Sequence, residues 1–171
     1  MQFITRKKLR KMDKLTIDRI AQAHPKIREE LKQYYIECNN KLPKGVRLRF
    51  AYVYRSIAEQ NVLYNQRPKV TNAKGGQSIH NYGCAFDYVI MLDKDNNGTF
   101  ETIEWDLKSP YHKVVVDYFK SKGYEWGGDW KNFKDYPHFQ KAFGHTWQSL
   151  KRKLDTGDSF KDVNGLTYPK I

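Results

Sequence analysis

Residues 78–87 read Ser78-Ile79-His80-Asn81-Tyr82-Gly83-Cys84-Ala85-Phe86-Asp87. A histidine and a carboxylate are held seven positions apart, with a glycine turn between them. From Cys84 the chain runs on to Leu92 as a strongly apolar strand, with Asp87 in its midst. A carboxylate inside such a strand is costly unless it is paired or bound to a metal. The same strand organises the fold. Ahead of it, residues 46–54 alternate Val46, Leu48 and Phe50 with Arg47 and Arg49, the pattern of a strand exposed on one face. Behind it, a turn at 93–98 leads to a strand expected over 99–105, which would close a hairpin on the first.

A second fragment follows some distance on: Asp135-Tyr136-Pro137-His138-Phe139. Pro137 is expected to keep it extended rather than helical. The two fragments together offer two imidazoles and two carboxylates. A catalytic zinc takes three such protein ligands and leaves a fourth position for water. The direct partition puts His80, Asp87 and His138 on the metal and leaves Asp135 as a base. Spacing alone also admits a plainer reading, in which these are solvated polar side chains on loops.

The first stretch resembles the signature Ser-x-His-x-x-Gly-x-Ala-x-Asp of the zinc peptidases related to D-alanyl-D-alanine carboxypeptidases. Ser78, His80, Gly83, Ala85 and Asp87 match it position for position. The second fragment resembles that family's acid-x-x-His element. Aspartate in the acid position is more like the L-alanyl-D-glutamate endopeptidase branch, which includes many phage endolysins, than the carboxypeptidases. The resemblance runs from about Leu42 to Phe139. It implies a zinc site of His80, Asp87 and His138, with Asp135 as general base. Arg55, Ser56, Gln60 and Tyr64 resemble the family's Arg-Ser…Gln…Leu-Tyr segment, whose arginine points into the active site. Arg55 is thus expected to neutralise the developing oxyanion, and Ser78, Gln60, Tyr64 and Trp126 to touch substrate. The implied substrate is the stem peptide of peptidoglycan, cut between L-alanine and D-glutamate. The rival readings are a D-Ala-D-Ala carboxypeptidase of the same fold, and a non-catalytic basic protein that binds wall or nucleic acid.

The rest of the chain reads as helices around that sheet. A short helix from Leu15 ends before Pro25, which opens the next. Ile27, Leu31, Tyr34, Tyr35 and Cys38 recur at helical spacing and belong to the core. His24 reads as a polar helix end. Ser56 and Glu59 have capping-box spacing for a helix over 57–64. Residues 65–77 are a loop, and 111–122 a helix stopped by Gly123, with His112 exposed on its first turn. In the segment Trp126-Gly127-Gly128-Asp129-Trp130, the two tryptophans are candidates to line the cleft or else belong to the core. A short basic helix over 147–154 and a polar tail close the chain. The expected architecture is a single α+β domain, an antiparallel sheet carrying the zinc site with helices mainly on one side. Its parts are a basic lead-in (1–13), the catalytic domain (14–143), and a C-terminal basic helix and tail packed on it (144–171).

The length of 171 residues suits one self-supporting domain. With 39% hydrophobic residues and 15% aromatics, a disordered chain is excluded. No apolar run reaches membrane length, and the basic start lacks the apolar core of a signal peptide. Synthesis in the cytoplasm and action on the bacterial wall are expected, as a monomer on peptidoglycan. Cys38 and Cys84 do not form a disulfide framework or Cys-x-x-Cys metal spacing. The net charge of +12 suits an anionic partner. The basic residues are spread end to end without a nucleic-acid motif. The family resemblance implies the anionic wall as partner, and the plainer alternative is that the charge only provides solubility.

One motif stands apart. Residues 93–104 fit the calcium loop of an EF-hand, with Asp93, Asp95, Asn97, the Thr99 carbonyl, Glu101 and a bidentate Glu104 as ligands. Both flanks read as strands, and Asn96-Asn97-Gly98 is a sound hairpin turn without metal. Calcium and the plain hairpin both stand at this point.

Overall fold

The computed structural model describes residues 12–171. Most of the expected basic lead-in therefore lies outside the described residues. Asp13, at its end, is no loose leader. It caps α1 (Lys14–Ile20) by accepting from the Thr16 N–H, and its carboxylate takes two hydrogen bonds from Arg49, at 3.0 and 2.8 Å. Burial alone would raise this carboxyl. The bonds from Arg49 and Thr16 outweigh that and hold it below the usual carboxylate range.

Pro25 opens α2 (Pro25–Lys41), which buries Ile27, Leu31, Tyr35 and Cys38, while Tyr34 packs at the core's edge. The chain then forms β1 (Val46–Tyr52) and α3 (Ile57–Asn65), whose Ser56/Glu59 capping box is complete. A 3-10 turn (Ile79–Tyr82) leads into β2 (Ala85–Leu92), followed by a short β3 (Thr102–Ile103). The hairpin expected over 99–105 thus pairs only at Met91–Leu92, because the polar loop ahead of it bonds mainly to itself. Next come α4 (Pro110–Ser121), β4 (Glu125–Trp126) and β5 (His138–Gln140). The chain ends with α5 (Trp147–Asp155), β6 (Ser159–Lys161) and β7 (Thr167–Pro169).

The main sheet is antiparallel, in the order β1-β2-β5-β4, with β3 joined to the far end of β2. Successive strand residues face opposite sides. On one side Phe50, Phe86, Phe139 and Trp126 stack in a row across the four strands, with interplanar angles of 21°, 22° and 26°. α1, α2 and α4 close over that row to make the core. The other side of the same strands carries Asp87, His138, Gln140 and Glu125. One sheet therefore separates hydrophobic core from polar site, residue by residue. A bulge between Phe50 and Tyr52 shifts the register by one, so Tyr52 pairs with Asp87 and joins the polar face.

His112 is buried, contrary to the expectation of exposure. It lies on the core side of α4, where its ring bonds the Tyr88 hydroxyl at 3.0 Å and the Glu104 carbonyl at 3.2 Å. The polar tail is a hairpin seated on the domain. His24 caps α2 and bonds the Pro169 carbonyl at 2.8 Å, while Arg28 pairs with Asp162 at 2.6 Å. α5 packs Leu150 against Ile79, Tyr82, Cys84 and Ala142, directly beneath the turn that carries His80. Cys38 and Cys84 are free and buried, and burial pushes both thiols up to about 12, so they act as small hydrophobes.

Candidate metal centre and active site

His80 is set by its turn. Ser78 caps the turn by accepting from the His80 N–H, and Gly83 ends it at φ +70°, a conformation that favours glycine. A side chain at Gly83 would also strike the His24 backbone and the Tyr168 ring. The His80 Nδ1 donates to the Val53 carbonyl at 2.8 Å, which leaves Nε2 as a lone pair facing the sheet.

Asp87 and His138 are cross-strand partners on β2 and β5. The Asp87 Oδ1 lies 3.1 Å from His80 Nε2 and 3.1 Å from His138 Nδ1, and the two nitrogens are 3.2 Å apart. His138 Nε2 is turned outward to the Gln140 side-chain oxygen at 3.0 Å. Three lone pairs thus converge on one point. Among the described residues this is the group of His, Cys, Asp and Glu side chains that draws three ligand atoms together. Spacings of 3.1–3.2 Å lie close to the roughly 3.3 Å edge of a tetrahedron with ~2.0 Å bonds, so the donor set fits zinc. The charges agree. Burial would raise Asp87, but the two imidazoles hold it far below the carboxylate range. Burial would lower His138, but its bond to Asp87 outweighs that and raises it.

Asp135 stands beside this group, open to solvent. Desolvation by the cleft wall, and then the negative charge of Asp87, raise its carboxyl above the ordinary aspartate value. Its fragment is not extended as expected. Residues 135–138 form a turn, closed by a 3.2 Å bond from the His138 N–H to the Asp135 carbonyl. The Trp-Gly-Gly segment explains how the turn is held. The Asp135 N–H donates to the Gly127 carbonyl at 3.1 Å, and a Cβ at Gly127 would overlap the Asp135 carbonyl.

Arg55 leaves β1 toward the same group. Its N–H donates to the His80 carbonyl, its guanidinium bonds the Gln60 side chain at 3.0 Å, and it approaches Asp87 Oδ2 at 3.8 Å. Tyr52, exposed by the bulge, lies under it at 4.9 Å.

These residues open into a cleft of about 1210 Å³ whose walls include Ser78, Phe133, Lys134, Trp130 and Trp147. Of the four residues expected to touch substrate, only Ser78 lines it. Gln60 is fully buried and bonds Arg55 and the Ala73 carbonyl, so it supports the site from behind. Tyr64 is turned toward Lys69 and Lys74. Trp126 belongs to the core row, its N–H tied to the Tyr136 carbonyl, and Trp130 takes the cleft position instead. Asn81, Gln140 and Glu125 were not singled out from the sequence. Asn81 ties the Arg55 carbonyl to Gly76 and Ser78. Gln140 was legible, since it stands two residues from His138 on one strand face.

The loop 93–104 shows no comparable gathering of carboxylates among the described residues. Asp93 accepts from the Gly98 N–H, Asp95 bonds Asn97, Asn97 bonds Thr99, Thr99 bonds Glu101, and Glu104 accepts from the Asp106 N–H.

Residues 71–141 match the protein family described as D-alanyl-D-alanine carboxypeptidase. Over those residues the chain is similar to that peptidase family. It is 41% identical over 109 residues to the peptidoglycan L-alanyl-D-glutamate endopeptidase CwlK of Bacillus subtilis, covering 57% of this chain and 62% of that one. It is 34% identical over 87 residues to the L-alanyl-D-glutamate peptidase of a Listeria phage, covering 50% of this chain and 28% of that one. The chain thus spans less than two thirds of either relative. The crystal structure of the L-Ala D-Glu endopeptidase ChiX of Serratia marcescens superposes with a TM-score of 0.53 at 23% identity, over 75% of this chain and 87% of that one. That likeness shows the α+β fold. The residues converging on His80, Asp87 and His138 all lie inside the segment matched by the family.

Proposed function

We propose that this protein is a zinc-dependent peptidoglycan endopeptidase that cuts the stem peptide between L-alanine and D-glutamate. The carrying observation is the convergence of three lone pairs from His80, Asp87 and His138 at 3.1–3.2 Å on the floor of an open cleft. The names of the two curated relatives support the choice of bond. A zinc ion there supplies Lewis acidity toward a peptide carbonyl and an attacking water. Asp135 takes the water's proton and returns it to the leaving amine, a role its raised carboxyl suits. Arg55, held by Gln60 and by its own backbone bond to His80, offsets the negative charge that grows on the carbonyl oxygen. Ser78 lines the cleft and orients the His80 turn.

The phage relative supports a role as a phage or prophage endolysin that acts on the bacterial wall. Among the described residues no helix is long and apolar enough to cross a membrane. The second reading, a D-Ala-D-Ala carboxypeptidase, rests on the family's description. Mass spectrometry of purified wall after digestion separates the two. New L-alanine carboxyl ends and D-glutamate amino ends support the endopeptidase, and release of free D-alanine contradicts it.

Calcium in the loop 93–104 is a secondary part of this reading. It is supported by the sequence pattern and by Asp93, whose Oδ1 is buried with no hydrogen-bond partner among the described residues while Oδ2 holds the Gly98 N–H. Binding requires Glu104 to leave the Asp106 N–H. Calcium added to zinc-loaded protein should raise its melting temperature; an unchanged melt and no heat of binding leave the plain hairpin.

A further inference from the structure

We propose that Gln140 and Glu125 are positioning residues that dictate which nitrogen of His138 faces the metal, and that Trp130 completes their relay. The inference rests on the metal reading above and adds what orients its third ligand.

The two histidines present different nitrogens to the centre. His80 uses Nε2, because its Nδ1 donates to a backbone carbonyl. His138 uses Nδ1, and its Nε2 must then carry the ring proton. Among the described residues, no backbone group receives that proton. It goes to the Gln140 side-chain oxygen at 3.0 Å.

A glutamine amide presents either end to a neighbour, so its direction has to be set from beyond. Glu125 sets it. Glu125 and Gln140 are cross-strand partners on β4 and β5, and the Gln140 nitrogen lies 3.0 Å from Glu125 Oε2. An ionised carboxylate only accepts, so the amide nitrogen must point to Glu125 and the amide oxygen to His138. The other carboxylate oxygen, Oε1, accepts from the Trp130 indole N–H at 2.5 Å, and indole only donates. The Trp130 ring in turn leans over His138, with centroids 5.1 Å apart. The chain runs from the His138 proton through Gln140 and Glu125 to Trp130 and back onto His138. Every link has one permitted direction, and the direction delivers an Nδ1 lone pair to the metal.

The core row on the opposite face contributes the register. Phe139 and Trp126 are themselves paired across β5 and β4, which fixes Gln140 opposite Glu125. The relay residues lie on the cleft side, so replacing them leaves the core untouched.

The test is zinc affinity, read by competition with a chromophoric chelator, together with turnover of wall fragments. Gln140→Leu should bind zinc about 10–100-fold more weakly, the usual effect of losing a partner behind a metal-bound imidazole. Glu125→Gln should also weaken binding, because the amide of Gln140 is then free to turn. Combining Glu125→Gln with Gln140→Glu moves the carboxylate one link inward. The new carboxylate at 140 accepts the His138 proton, and the new amide at 125 donates to it and accepts from Trp130. This double variant should bind zinc more tightly than Glu125→Gln alone. Melting curves at fixed zinc excess confirm that each variant is folded. Wild-type protein that binds zinc tightly alongside a folded Gln140→Leu of equal affinity overturns the relay alone. A double variant no better than Glu125→Gln also overturns it. Wild-type protein that binds no zinc overturns the metal reading itself.

Discussion

Asp87 and His138 face each other across β2 and β5, with Asp87 Oδ1 3.1 Å from His138 Nδ1, while the next residue on each strand, Tyr88 and Phe139, is buried in the core. The spacing is set by sheet register rather than by loops, so the pair is rigid. His80 completes the group from a turn locked by Gly83, Ser78 and the Val53 carbonyl. His80→Ala, Asp87→Ala and His138→Ala should each lose zinc and hydrolysis together. Metal analysis of the purified variants checks this, and a variant with full metal content and turnover removes its residue from the ligand set.

Asp135 accepts a proton and binds no metal in this account. Asp135→Asn preserves shape but cannot accept the water's proton. It should keep its zinc and lose about 10²–10⁴-fold in turnover. Steady-state rates beside zinc content decide it; a metal-poor variant would make Asp135 a ligand.

Gly127 provides a separate handle on the same group. A Cβ there would press first on the Asp135 carbonyl. Gly127→Ala should retain zinc and lower turnover by on the order of 10²-fold, as small displacements of catalytic groups do. Unchanged turnover would show that the placement of Asp135 does not matter.

Arg55→Ala should likewise spare zinc. Removing one group that stabilises a developing oxyanion costs on the order of 10²–10³ in turnover. Arg55→Lys should not restore full rate, because a lysine cannot keep both the Gln60 bond and the approach to Asp87.

Acid stability should report on Asp13. Its folded pKa is depressed, with burial opposed by the stronger bonds from Arg49 and Thr16. Such a group stabilises the fold above its unfolded value, near ~4, and the contribution is lost as pH falls through the lower folded value. Asp13→Ala removes a helix cap and strands Arg49, a loss on the order of 2–4 kcal/mol at neutral pH. Thermal melts of both proteins should converge as pH drops below about 4. A constant gap down to pH 2 would assign the stability elsewhere.

Much of the site was legible in the sequence because its chemistry is carried by side chains at fixed spacing. His80, Asp87, Asp135 and His138 do stand together. The helices and the main strands were likewise readable from apolar period and caps. What escaped was set by tertiary contact. His112 has the pattern of an exposed first-turn residue, yet Tyr88 and the Glu104 carbonyl draw it inward. Gln60 and Trp126 are expected as substrate contacts, but Gln60 sits on α3 with its side chain bonded to Arg55 from behind, and Trp126 stacks in the core row. Tyr52 reaches the site through a bulge, and single-chain periodicity carries no mark of a bulge.

The most direct test of the central claim is to strip the protein with a chelator, then follow wall hydrolysis while zinc is added back in known ratio. Activity that vanishes on stripping and returns in full at one zinc per chain, but not in His138→Ala, is the predicted result. Stripped protein that still hydrolyses wall at the original rate would contradict the account.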